Sequence, residues 1–174
     1  MVDALIDGLN DYTTDERGDV GSWIRIACIR GLCTACMLTI TNARHIPDFE
    51  AYLPPSKYHK AVSSILKQGV ERLDHVRHEA GEAFGKLSHL SPPEVQEPGR
   101  WTVYQLDLIK EVFVREDEAT SWIDGAWLFP KALQLLEISH YRQDILRGLV
   151  QSLGSKTDST VQAAFFDNSH THVR

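Results

Sequence analysis

VGSWIRIACIRGLCTACMLTITNA, residues 20–43, is the stretch on which the reading of the fold turns. Its apolar side chains (Trp23, Ile24, Ile26, Ala27, Cys28, Ile29, Leu32, Met37, Leu38 and Ile40) wrap most of a helical circumference. Arg25 and Arg30 are the charges inside it. A helix from about Val20 to Ala43 with that distribution has to be covered by neighbours on several sides, which implies a stack of helices.

The segments on either side follow the same period. Val2, Leu5, Ile6 and Leu9 mark a first short helix that begins without a capping residue, as expected of a chain cut from something longer. An acid-rich loop, Asn10 to Asp19, leads into the long helix. After Pro54-Pro55, Ser56 begins a helix to about Gln68, and Gly69 separates it from one running from about Glu71 to Leu90. The prolines of 92–100 read as a linker. Helices are then predicted over Trp101 to Val114, over Ile123 to Ile138 with a bend or start at Pro130, and over Ser139 to Leu153. Ser155 and Asp158 make a weak capping box for a last helix to about Asp167. No run alternates at period two. The expectation is an all-α chain, an α-solenoid of irregular HEAT/armadillo-type helical hairpins, with one helical-repeat domain over 1–167 and a flexible tail over 168–174.

Three helices share a short signature, an apolar residue followed by arginine with small or apolar residues one and two turns on: Ile24-Arg25, Val76-Arg77 and Leu146-Arg147. An acid precedes each (Asp19, Asp74 and Asp144). Such an arginine can reach a neighbouring aspartate or a helix C-terminus while the small residues let helices approach. The arginines are 52 and 70 residues apart by their numbers, so repeats of this kind are irregular.

Charge and composition narrow the function classes. With a net charge of −6 and a pI of about 5.7, the chain offers no nucleic-acid or anionic-membrane field and suits a basic partner better. The start, Met1 to Asp7, carries acids where a signal peptide carries basic residues. The longest uncharged run, between Arg30 and Arg44, is shorter than the roughly 20 residues of a membrane span. The chain therefore reads as cytosolic.

The local signatures of catalysis and metal binding are missing. Cys28, Cys33 and Cys36 form no disulfide framework and sit in the most apolar helix, where cysteine is a small core residue rather than half a zinc knuckle. His75 and His78 share a helix face without the His-Glu-x-x-His pattern, and His170 and His172 lie in the tail. The acids Asp11, Asp15, Glu16 and Asp19 do not alternate as a calcium loop requires. Arg17-Gly18-Asp19 is an adhesion tripeptide by spelling, better explained as the turn before Val20. Neither a nucleophile elbow nor a phosphate loop is present. No metal and no cofactor are expected, and catalysis is not the expected activity. An enzyme site assembled from distant residues stays as the less favoured reading. What remains is surface, with Tyr12, Trp101, Tyr104, Trp122 and Trp127 beside loops or helix starts. They serve either as interface anchors or as closures of the hydrophobic stack.

Residues 11–25, DYTTDERGDVGSWIR, closely resemble a segment of the tubulin-specific chaperone D family, also called tubulin-folding cofactor D. The resemblance resumes in FPKALQLL at 129–136 and YRQDILRGLVQSLG at 141–154, which read like that family's last helices, and in TDSTV at 157–161. One departure is Ser155-Lys156, where the family tends to carry a second glycine after Gly154. Members are long helical-repeat proteins, so the resemblance implies a C-terminal domain of one. It further implies a cytoplasmic chaperone, associated with the microtubule cytoskeleton, that captures β-tubulin and joins it to α-tubulin together with cofactors E and C. GTP hydrolysis by tubulin then releases the heterodimer, and an Arf-like small GTPase is a further partner. The catalytic arginine of that assembly is attributed to cofactor C, so none is required here. Asp11, Tyr12, Arg17, Asp19, Trp23 and Arg25 are the candidate protein interface or, alternatively, an inter-repeat lock. The competing reading is a general HEAT-type scaffold without a tubulin role.

Overall fold

The computed structural model describes residues 1–113 and 121–153. Eight α-helices run through these residues: α1 (Val2–Gly8), α2 (Gly21–Thr41), α3 (Phe49–Tyr52), α4 (Pro55–Gly69), α5 (Asp74–Ser88), α6 (Leu106–Phe113), α7 (Gly125–Gln134) and α8 (Ser139–Leu153). The chain is all-α and helical-repeat in kind. The helix expected after Ser155 and the tail lie outside the described residues.

α4 is the centre of the stack. It packs against α5 on one side and α8 on the other, α5 packs in turn on α2, and α1 lies on α2. This position explains why α4 buries Tyr58, Ala61, Val62, Ile65 and Leu66 almost completely, and buries polar His59, Ser63 and Gln68 as well. Pro55 occupies the first turn, where a missing N–H costs nothing. One continuous core reaches from Leu9 through Ile29, Leu66, Phe84 and Phe129 to Leu149.

Several boundaries differ from the periodicity, each for a visible reason. α5 begins at Asp74 rather than Glu71. Buried Arg77 donates from Nη1 to the carbonyls of Glu71 (3.0 Å) and Arg72 (2.6 Å), which holds that segment in a turn. The same guanidinium donates from Nε to Trp122 O and from Nη2 to Ile123 O at 3.0 and 2.7 Å, tying 122–123 onto α5. The predicted helix from Trp101 shrinks to α6. Residues 101–105 are instead pinned by Trp101 Nε1 donating to Leu53 O at 2.9 Å and by Tyr104 N donating to Tyr141 Oη at 3.1 Å. Gln105 then turns the chain at a φ of 51°. α7 keeps Pro130 inside it, starts at an Asp124 cap whose Oδ1 accepts from Ala126 N at 2.9 Å, and passes into a 3-10 turn at Leu135–Glu137.

Two details add to these expectations. A two-residue antiparallel ladder, β1 (Thr14–Asp15) with β2 (Gly18–Asp19), folds the acid-rich loop, too short to leave any alternation in the sequence. α2, by length and composition apolar enough to cross a membrane, is covered on several sides as expected, by α1, α5 and α4, though not all round. Its inner face packs Ile29, Leu32, Cys36 and Ile40, while Trp23, Ile24 and Leu38 are 61, 48 and 61% exposed.

The tryptophans divide. Trp101 and Trp122 are buried, and Trp122 lies over Gly81 of α5 with Phe113 stacked on it at 5.0 Å. Trp127 is half-buried beneath Lys131 Nζ, 5.0 Å from its ring centroid. Cys28, Cys33 and Cys36 are free and buried, and burial pushes the Cys36 thiol up to about 12, so they are core residues.

Candidate interaction loop and its buried anchor

The loop between α1 and α2 is built by its own acids. Asp11 Oδ1 accepts from Thr13 N at 3.0 Å, and that hydrogen bonding holds the Asp11 carboxyl below its ordinary range. The ladder pairs Thr14 with Asp19 and Asp15 with Gly18, leaving Glu16-Arg17 as a two-residue turn. Gly18 has a φ of 105°, a conformation that favours glycine. Asp19 then opens α2: its Oδ1 accepts from Ser22 N at 3.0 Å, and Ser22 Oγ donates back to Asp19 O at 2.6 Å. Gly21 lets the loop close on the helix, because a Cβ there would stand 2.5 Å from Asp11 O.

Beneath the loop Arg25 is completely buried. Its guanidinium forms a fork on Asp19, Nη1 to Oδ1 and Nη2 to Oδ2, both at 3.0 Å. Nη1 also donates to Asp11 O at 2.6 Å, and Nη2 donates to Glu71 Oε1 at 3.2 Å. The guanidinium carbon lies 4.3 Å from the centroid of the Tyr12 ring. Gln68 Nε2 completes the cage, donating to Leu9 O at 2.8 Å and to Tyr12 Oη at 3.3 Å.

Burial opposes the Arg25 charge, but its hydrogen bonds to Asp19 and the fields of Glu71 and Asp19 outweigh it and hold the guanidinium charged. Burial likewise pushes the Glu71 carboxyl up, only partly offset by Arg25, and raises the Tyr12 phenol. One cation therefore joins the loop, the start of α2 and the α4–α5 turn.

The six sequence candidates separate into two groups. Asp11, Tyr12, Asp19 and Arg25 converge in this buried cage, so Asp19 is not presented as part of an adhesion tripeptide. Arg17 and Trp23 face outward. Arg17 Nε and Nη2 donate to Asp15 Oδ2 at 3.0 and 2.6 Å within its own turn, which draws the Asp15 carboxyl down. The Arg17 guanidinium also lies over the Trp23 ring, 5.4 Å from its centroid. Sequence reasoning missed Glu71, whose only signal is a carboxylate two residues past the glycine that ends α4.

The repeated arginine signature has three outcomes. Arg25 does pair with its preceding acid. Arg77 meets carbonyls of the chain around it, and Arg147, itself exposed, also pairs with its preceding acid, Nη1 to Asp144 Oδ1 at 3.2 Å. Among the described residues no group of three or more histidines, cysteines and carboxylates is placed to hold a metal ion. A cavity of about 600 Å³ between α5 and α6 is lined by Phe84, Ile109, Phe113 and Trp122, with Lys86 and Lys110 also on its wall.

A family model described as tubulin folding cofactor D C terminal matches residues 59–166, more than half of the chain. Its matched region begins in α4 and includes Glu71, whereas Asp19 and Arg25 precede it. The chain is similar to tubulin-specific chaperone D of Dictyostelium discoideum, with 22% identity over 156 residues, covering 83% of this chain and 10% of that protein. It thus spans about a tenth of the length of that curated relative. No solved structure matches it.

Proposed function

Because the chain belongs to the tubulin folding cofactor D C-terminal family, we propose that it holds tubulin during assembly and disassembly of the α/β heterodimer. The partner it holds is β-tubulin, with cofactors E and C and an Arf-like small GTPase acting in the same cytoplasmic, microtubule-associated machinery. Its contribution to GTP hydrolysis is made through those partners, with no catalytic residue of its own.

The observation that carries the reading is the exposed Arg17–Trp23 pair standing on a buried anchor. Arginine and tryptophan are favoured as binding hot spots, and a loop already fixed by Arg25 loses little freedom on binding. Trp23 and the neighbouring Ile24 supply apolar area, and Arg17 supplies a cation for a carboxylate or carbonyl rim. In this reading Asp11, Tyr12, Asp19 and Arg25 act as the inter-repeat lock and Arg17 and Trp23 as the contact.

Binding of αβ-tubulin, cofactor E and the Arf-like GTPase to the immobilised chain tests it. The expected result is saturable binding to at least one of them, weakened about tenfold by Trp23→Ala, a loss of about 1.4 kcal/mol. A folded chain that binds none of the three supports the general scaffold reading instead.

A further inference from the structure

On the flank formed by α4 and α8, two cations and a hydroxyl share one carboxylate. Lys60 Nζ donates to Asp144 Oδ2 at 2.8 Å, Arg147 Nη1 donates to Asp144 Oδ1 at 3.2 Å, and Ser63 Oγ takes up Oδ2 again at 2.7 Å. Both oxygens of Asp144 are therefore occupied. Lys67 lies on the same face of α4, two turns beyond Lys60. Its Nζ donates to the neutral Asn10 Oδ1 at 2.8 Å and stands 5.5 Å from the Tyr12 ring centroid. Among the described residues it forms no ion pair. Burial draws the Lys67 ammonium below its ordinary range; Arg147, Lys60 and Arg25 add to this, and Asp144 alone opposes them.

The other wall is apolar. Gly148 brings α8 close to α4, since a Cβ there would stand 2.4 Å from Lys67 O. Lys67 leaves this crossing into a groove of about 610 Å³ whose far side carries Leu146 and Val150, one turn apart. These two are 40 and 64% exposed, unusual for aliphatic side chains on a helix with a buried inner face. In a chain of net charge −6, this groove is a local reversal of sign beside an aliphatic stripe.

We propose that the groove between α4 and α8 binds an acidic amphipathic segment of a partner protein. A carboxylate of the segment pairs with Lys67, and its aliphatic side chains cover Leu146 and Val150. Charge complementarity chooses this occupant. A nucleic acid gains nothing from the aliphatic stripe, and a second copy of the same face sets lysine against lysine. The inference goes beyond the tubulin reading and does not depend on which protein supplies the segment.

The probe is a capped, fluorescein-labelled helical peptide of about 18 residues, long enough to be helical, with glutamate on one face and leucine on the other. A version with lysine in place of glutamate is the control. Anisotropy is expected to show saturable, salt-sensitive binding of the glutamate peptide, weakened about tenfold by Lys67→Gln and by Val150→Glu. Amide shifts should gather on residues 60–67 and 143–151. Val150 is exposed, and Lys67→Gln keeps a donor for Asn10 Oδ1, so thermal midpoints should move little. The proposal is overturned by equal binding of the lysine peptide, by binding that neither substitution weakens, or by no saturable binding at low salt. Tighter binding of a single-stranded oligouridine, or a dimer that Val150→Glu converts to monomer, overturns it equally.

Discussion

Arg25 and Arg17 are eight positions apart in the chain and have opposite surroundings. Arg25 is wholly buried, with Asp19 and Glu71 as its carboxylates at 3.0 and 3.2 Å, whereas the Arg17 side chain is 69% exposed. Arg25→Ala leaves two nearly buried acids without their cation and is expected to cost about 3–5 kcal/mol in urea unfolding. Glu71→Gln costs far less, because the fork on Asp19 persists and the buried charge is removed. Arg17→Ala changes stability by no more than about 0.5 kcal/mol while weakening tubulin binding; an unfolding midpoint that falls as far as that of Arg25→Ala contradicts this division of roles.

A second residue prediction concerns pH. His59 Nε2 donates to Arg100 O at 3.0 Å, which leaves Nδ1 to accept from Tyr141 Oη at 3.0 Å, while Tyr141 Oη itself accepts from Tyr104 N. Protonation puts a second donor against that hydroxyl. Burial holds the folded-state value of His59 below the ordinary 6.5. Its contribution is therefore present above pH 6.5 and is lost as pH falls from there through the folded-state value. Urea unfolding from pH 7 to 5 should show a fall that flattens in His59→Gln; an unchanged slope in that variant contradicts the assignment.

Among the elements, α2, α4 and α8 were legible almost to the residue, because long apolar periods end at Pro54-Pro55, Gly69 and Leu153. α6 was not, since nothing local in Trp101 to Gln105 forbids helix. Their non-helical path depends on Leu53 and Tyr141, far away in sequence. The loop anchor was half legible. Asp19 and Arg25 flank the start of one helix, but Glu71 reaches Arg25 across 46 residues, a pairing set by how α5 packs on α2. α5 also carries an element-scale prediction. Glycine to alanine within a helix normally stabilises by up to about 1 kcal/mol. Gly81→Ala reverses that sign, because its Cβ would stand 2.1 Å from Trp122 Cγ. A loss of about 1–3 kcal/mol is expected, together with a changed tryptophan emission from Trp122; a more stable variant contradicts the packing of 121–123 on α5.

At the scale of the whole molecule, the packing runs α1, α2, α5, α4, α8, with α1 and α2 toward one end and α8 toward the other. That order puts the Arg17–Trp23 surface and the Lys67–Val150 groove on different elements, which meet where Lys67 touches Asn10 and Tyr12. The central claim is that the chain holds tubulin through the loop that Arg25 anchors. Hydrogen–deuterium exchange of the chain with and without αβ-tubulin tests it most directly. The account predicts added protection over residues 12–24 on tubulin addition, abolished by Trp23→Ala, with the exchange of α4 unchanged. Tubulin binding that leaves residues 12–24 exchanging as in the free chain contradicts it.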